Sequence, residues 1–208
     1  MNADPLKDDL HQQLRDARAA LVWKLGGLSE YDVRRPMTPH GTNLLGLVKH
    51  LCGCEIGYFG DVFGRPFPRP PVWVSRPTEP TVDMWAGPDE SRRDIVDLYR
   101  RACAHSDRTI AALNLEHPGA VPTWPEERRS VTLGRILVHM LAETARHAGH
   151  ADIVRELIDH QAGSHPGRCG LPDVDDGYWT ALHERIERAA RQAQQTQPLA
   201  AERPARRP

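Results

Sequence analysis

The chain has 208 residues, 39% of them hydrophobic, with 27 lysines and arginines against 28 aspartates and glutamates. This length and composition predict one compact domain with appended segments. A net charge near zero gives no electrostatic reason to expect nucleic acid or an anionic membrane as a partner. Because no apolar run approaches the roughly 20 residues of a membrane span, and the polar, acidic N-terminus does not resemble a signal peptide, we expect a cytoplasmic protein.

Four long helical patterns follow one another along the chain. Apolar residues recur at three- and four-residue spacings over residues 5–25, 41–63, 88–113 and 130–160. Thr42 or Asn43 can cap the second pattern, and Ser130 or Thr132 the fourth. No segment shows the alternation that is typical of a strand. The sequence therefore predicts an all-α four-helix bundle.

The connection between the second and third helices is long and rich in proline. Residues 64–88, which we call the crossover, carry seven prolines and should be extended rather than helical. A connection of this length either shapes a binding site or simply spans the bundle from end to end. The sequence leaves both interpretations open.

The chain changes character after the fourth helix. Residues 178–193 place apolar side chains at helical spacing and predict a short fifth helix, whereas residues 197–208 have no apolar face and should be disordered. We therefore divide the chain into a bundle (1–162), an extension with a short helix (163–196) and a tail (197–208).

One face of the fourth helix carries a column of polar side chains. His139, Glu143 and His147 follow one another at intervals of four residues, which places them above one another on a helix. Polar groups so close to a core need either hydrogen-bond partners or a metal ion. Glu143 and His147 can supply two of the three ligands of an open metal site, and a solvated ion pair is the alternative.

His50 is the obvious third ligand, because it lies in the middle of the second helix among apolar residues. Gly46, Gly53 and Gly57 share its helix face, and each glycine inside a helix costs about 1 kcal/mol relative to alanine. This glycine stripe indicates that space is needed beside His50. Either a close helix contact or a ligand cavity would explain it.

Four segments of the chain resemble a known family: TNLLGLVKHL, YFGDVFGRPF, VPTWPEERRSVTLG and LVHMLAETARHAGHADIVRELID. They are similar to DinB-like four-helix-bundle metalloproteins, and among these to the mycothiol-dependent S-transferase branch. The resemblance covers about residues 5–162. It implies a divalent metal bound through a histidine on the second helix and two residues four apart on the fourth.

The metal ligands implied by the resemblance are His50, Glu143 and His147. Many relatives have histidine where this chain has Glu143, but glutamate is an acceptable oxygen ligand. Relatives usually have glutamine directly after the H-x-G motif, which spans residues 147–149 here, whereas this chain has His150. We interpret His139 and His150 as residues that support the ligands or add one more.

The resemblance also implies an activity. A low-molecular-weight thiol, mycothiol in this branch, would be activated at the metal and transferred to a small electrophile, because metal coordination deprotonates thiols. Zn²⁺ is the expected metal, with Ni²⁺ or Fe²⁺ as alternatives. The same ligands could instead activate water in a metal-assisted hydrolase, or hold an ion in a non-catalytic bundle that could form a homodimer. Detoxification and natural-product biosynthesis would look alike in this sequence.

Four further residues are candidates for substrate binding. Arg128 and Arg129 could hold a carboxylate or sugar hydroxyls through the fixed donors of guanidinium. Trp124 could cover a ligand ring, and Tyr58, eight residues after His50, could donate a proton. Solvated arginines and a core tryptophan are the alternatives.

Removal of residues 197–208 should change neither folding nor activity, because this tail contributes no apolar face. Helical circular dichroism, the melting temperature and the activity of the truncated and full-length proteins provide the test. A clear loss of any of the three would contradict a disordered, dispensable tail.

Overall fold

Four long helices form the bundle that the sequence predicts, and shorter elements join them. The computed structural model describes residues 4–167 and 170–196. In chain order the elements are α1 (Pro5–Trp23), α2 (Glu30–Arg34), α3 (Leu44–Phe59), a 3₁₀ turn (Asp61–Phe63), α4 (Val72–Ser75), α5 (Arg92–Ala112), β1 (Pro118–Ala120), α6 (Glu126–Arg129), β2 (Ser130–Thr132), α7 (Leu133–Asp159) and α8 (Asp176–Thr196). The long helices α1, α3, α5 and α7 confirm the all-α fold class.

Each of these long helices begins at a residue whose side chain caps its first turn. Asp4, Asn43, Ser91 and Thr132 each accept a hydrogen bond from the backbone N–H three residues further on. Such caps satisfy N–H groups that have no partner within the helix. Asn43 and not Thr42 therefore caps α3, and Thr132 and not Ser130 caps α7.

Two local expectations were wrong. β1 and β2 form a small antiparallel sheet, with Gly119 opposite Val131, whereas the sequence indicated no strands. Each strand has only three residues, too few to show an alternating pattern. The crossover is also not wholly extended, because Val72–Ser75 forms one helical turn. These four residues contain no proline, so nothing in them prevents a helical hydrogen bond.

The helices pack in pairs around a continuous apolar interior. α1 lies along α7, α3 lies along α5, and α3 also contacts α7. Leu51 of α3 and Tyr99 of α5 belong to one buried cluster, while Phe59 of α3 and Met140 of α7 belong to a second. α3 thus contributes to both clusters, which places it at the centre of the bundle.

The chain divides into two units, Met1–Gly170 and Leu171–Pro208. The second unit contains α8, which extends the predicted fifth helix by a few residues at each end and is stabilised by exposed ion pairs one turn apart, such as Arg191–Glu187. The predicted tail, residues 197–208, lies outside the described residues. No helix in the described part of the chain is both long and apolar enough to cross a bilayer.

A buried ion pair joins three of the long helices. The guanidinium of Arg18 on α1 donates two hydrogen bonds, of 2.7 and 2.6 Å, to the two carboxylate oxygens of Glu55 on α3. It donates a third, of 2.7 Å, to Asp107 on α5, which also contacts His11. Because Arg18 and Glu55 are almost fully buried, neither charge can be left without its partner.

Replacement of Glu55 by alanine should lower the free energy of unfolding by about 3–5 kcal/mol, because it leaves the Arg18 charge buried without its main partner. Asp97→Ala on α5 is the matched control. It removes a carboxylate that pairs with arginine on the protein surface and should cost less than about 1 kcal/mol. Urea denaturation of both variants provides the measurement. Equal losses would contradict the central role of the Glu55 pair.

Candidate metal centre

The three predicted ligands meet between α3 and α7. Nε2 of His50 lies 3.5 Å from Oε1 of Glu143, and Nε2 of His147 lies 3.0 Å from the same oxygen. One ligand atom from each residue lies within 4.8 Å of the other two. Two imidazole nitrogens and a carboxylate oxygen form a donor set that suits zinc and other first-row metals. These three donor atoms can therefore bind one ion together.

A residue that the sequence analysis missed orients His50. Oδ2 of Asp83, in the crossover, lies 2.8 Å from Nδ1 of His50. A carboxylate that holds one ring nitrogen of a histidine fixes the ring and leaves the other nitrogen free for a metal. Asp83 lies 33 residues from His50 in the sequence, and no spacing rule links the two.

His150 makes the corresponding contact with His147. Nδ1 of His150 lies 3.3 Å from Nδ1 of His147, on the opposite side of the ring from the nitrogen that faces Glu143. His150 therefore touches a ligand residue and does not belong to the group of three. This position suits a residue that supports His147.

The protonation states of the ligand residues also suit a metal. Burial raises the pKa of Glu143, but His147 and His50 outweigh this effect and leave the pKa below its usual value. Burial lowers the pKa of His147, and the neighbouring His50 lowers it further, despite the opposing effect of Glu143. An ionised carboxylate and a neutral imidazole are the forms that bind metals, so these residues fit a divalent ion.

The glycine stripe on α3 has two separate explanations. A Cβ on Gly46 would collide with the carbonyl oxygen of Met84 in the crossover, whereas a Cβ on Gly57 would meet no atom within 4 Å. Gly46 thus permits a close backbone contact. Gly53 and Gly57 line a cavity of about 900 Å³.

This cavity lies beside His50, although none of the three candidate ligands lines it, and the crossover forms much of its wall. Cys54 and Asp83, which both contact His50, are among its lining residues. Trp73 and Val82 of the crossover supply apolar surface. A turn after β1, residues 121–123, completes the wall. Of the two interpretations of the crossover, the structure favours the one in which it shapes a binding site.

Cys54 is a second residue that the sequence analysis did not assign to the site. Its Sγ lies 3.6 Å from Nε2 of His50. Burial raises the pKa of this thiol, and the carboxylates of Glu143, Glu55 and Asp83 raise it further. Cys54 therefore remains a neutral thiol that can line the cavity without acting as a nucleophile.

The other candidate residues form an aromatic group beside the ligands. The ring of His139 packs edge-on against Tyr58, at 4.7 Å between centroids, and against Trp124, at 5.1 Å. Trp124 donates a 3.3 Å hydrogen bond to the hydroxyl of Tyr58. Of these three residues, Tyr58 lines the cavity.

The two arginines lie close to Trp124. The guanidinium of Arg128 is 5.7 Å from the centroid of the indole ring, and Nε of Arg129 donates a 3.3 Å hydrogen bond to the Trp124 carbonyl oxygen. Both arginines are exposed, and neither is among the residues that line the cavity.

These features define a class of protein: a four-helix bundle with a two-histidine, one-carboxylate group between two helices and a cavity beside it. The chain belongs to the mycothiol S-transferase family, whose family model matches residues 9–160. The resemblance that the sequence indicated is confirmed. No curated protein and no solved structure matches the chain.

We predict that His50→Ala abolishes stoichiometric metal binding and that Asp83→Asn weakens it by about 10- to 100-fold, because loss of the partner of a histidine ligand has effects of that size. Titration with Co²⁺, followed by its visible absorption, measures both affinities. Asp89→Asn, which alters an exposed carboxylate between the crossover and α5, is the control. Unchanged affinity in Asp83→Asn would show that Asp83 does not position His50.

Proposed function

We propose that the protein is a divalent-metal-dependent thiol S-transferase, which transfers mycothiol to a small electrophilic molecule. One observation carries this proposal. In a chain of the mycothiol S-transferase family, three metal-competent side chains converge beside a cavity whose lining residues touch His50. The cavity volume of about 900 Å³ lies near the upper end of the range for small-molecule sites and offers room for a thiol together with a second substrate.

In this proposal His50, Glu143 and His147 would hold the ion, and we propose Zn²⁺, with Ni²⁺ or Fe²⁺ as alternatives. When bound, such an ion lowers the pKa of a coordinated thiol, so that the thiolate forms at neutral pH. Asp83 and His150 keep the ligand histidines in orientation through the contacts described above. Three protein ligands leave a position for a substrate sulfur.

The cavity walls would place the two substrates against each other. The polar residues that line the cavity, among them Thr78 and Thr123, could form hydrogen bonds with the hydroxyl groups of a glycosidic thiol. Burial raises the pKa of the Tyr58 hydroxyl, although the hydrogen bond from Trp124 lowers it. Tyr58 therefore stays protonated and can donate a hydrogen bond to an oxygen of the electrophile.

The charge of the lining favours mycothiol over other thiols. No lysine or arginine is among the described residues that line the cavity, whereas Asp61, Glu79 and Asp83 are. Mycothiol is an uncharged glycoside apart from its thiol, whereas bacillithiol and glutathione carry carboxylates. An anionic thiol would enter a wall of its own sign without a counter-charge. We place the reaction in the cytoplasm, where small thiols are kept reduced.

Calorimetric titration of mycothiol into the metal-loaded protein tests the proposal. We expect about one bound thiol per chain, with at least about tenfold weaker binding to His50→Ala, which lacks a ligand to the thiol-activating ion. His40→Ala, which removes an exposed histidine, is the control and should bind as the wild type does.

The other outcomes separate the alternatives. A bound metal with no affinity for the thiol, together with thiol-independent hydrolysis, would replace the transferase by a metal-assisted hydrolase. A metal bound without thiol affinity or hydrolysis would leave a non-catalytic bundle. Absence of metal after metal-replete growth would refute the metal centre itself.

A further inference from the structure

The charged residues that line the cavity beside His50 all have the same sign. Asp61, Glu79 and Asp83 line it, and no cationic side chain does so among the described residues. Lys49 lies behind the wall, against Trp73, but its ammonium group is buried, where it bonds to Glu90 and to the Trp85 carbonyl oxygen, each at 2.9 Å. Its charge is therefore already neutralised by a partner.

The apolar part of the wall centres on a fixed tryptophan. The ammonium group of Lys49 lies 5.1 Å from the ring centroid of Trp73. A Cβ on Gly53 would approach that ring to 3.3 Å, so the ring packs directly on the α3 backbone. Val62, Val74 and Val82 also line the cavity. Together they form a surface suited to an apolar or aromatic molecule.

The metal centre would not supply a counter-charge either. The carboxylate of Glu143 and the sulfur of a deprotonated thiol would together offset the two positive charges of a divalent ion. A carboxylate on the second substrate would therefore find no positive partner at the ion or along the described cavity wall. Placement of a charge in a mainly apolar cavity without a partner is unfavourable.

We propose that the electrophile is an apolar, typically aromatic molecule that is uncharged or cationic, and that the cavity excludes electrophiles bearing a carboxylate. This proposal rests on the proposed transferase function. It differs from the interpretation of Arg128 and Arg129 as a carboxylate clamp, because both side chains lie at Trp124, outside the cavity lining.

The transfer balances without an added oxidant or reductant. With a benzylic halide as electrophile, the thiol loses its proton to solvent and its sulfur forms a bond to the benzylic carbon. The carbon–halogen bond breaks, and the halide leaves with the electron pair. The products are a thioether, a halide ion and a proton.

A binding experiment tests the charge preference independently of turnover. The full-length, metal-free protein is titrated with benzyltrimethylammonium, benzamide and phenylacetate, followed by tryptophan fluorescence. Removal of the metal matters, because an ion without thiolate would attract the carboxylate directly. We expect phenylacetate to bind at least about tenfold more weakly than the other two, since like charges at an interface are strongly disfavoured. Loss of the signal in Trp73→Phe assigns it to the cavity.

A second arm measures transfer from mycothiol in the metal-loaded protein. The electrophiles are benzyl bromides with a para methyl, trimethylammonium or carboxylate group, and each rate is divided by the uncatalysed rate. We expect the carboxylate compound to give a kcat/KM at least about tenfold lower than the other two. The Glu79→Gln/Asp61→Asn variant should reduce this discrimination by about threefold or more, because two of the three carboxylates are neutralised.

The outcomes are distinguishable. Glu156→Gln, on the exposed surface of α7, removes one negative charge outside the cavity and should leave the discrimination unchanged. Phenylacetate bound as tightly as the other ligands, or none of the three bound, would overturn the inference. Charge-selective binding without transfer to any bromide would refute the transferase function and leave the charge preference of the cavity standing.

Discussion

The contact between the crossover and α3 is the constraint on which the candidate site depends. Gly46 lacks a Cβ, so the carbonyl of Met84 can lie against the helix, where it accepts a 3.1 Å hydrogen bond from the side chain of Asn43. One turn further on, Lys49 binds the next carbonyl, that of Trp85. A segment with few regular backbone partners must satisfy its polar groups in this way, and the result is a fixed position for Asp83 beside His50.

The bundle supplies the second condition, a constant distance between ligands on different helices. His50 lies on α3, and both other ligands lie on α7. The Arg18–Glu55 pair ties α1 to α3, while Arg155 of α7 donates hydrogen bonds of 2.6 and 2.8 Å to the carbonyl oxygens of Lys24 and Gly26, just after α1. Buried polar pairs of this kind contribute little net stability, yet they disfavour alternative packings in which a charge would lack its partner. A ligand group shared between helices depends on that specificity.

The helices and the meeting of three candidate ligands could be predicted from the sequence, whereas the wall of the cavity could not. Glu143 and His147 follow from helical spacing, and His50 follows from its place among apolar residues and glycines. Asp83 could not be found, because its contact depends on the path of a proline-rich segment, and proline fixes only its own φ. The β1–β2 pair could not be predicted for a related reason. Each strand has only three residues, and its conformation depends on its surroundings and not on a sequence pattern of its own.

The candidate ligands and much of the cavity wall belong to different parts of the fold. The three candidate ligands lie on helices whose packing cannot shift without disturbing the core, so their relative positions are tied to the fold. Thr78 and Glu79 lie in the crossover and line the cavity, but they belong to neither buried cluster of the bundle. Asp83 belongs to both parts, because it lines the cavity and also orients His50. Side chains at such positions can therefore change the cavity alone, whereas a change at Asp83 would also alter the contact with His50.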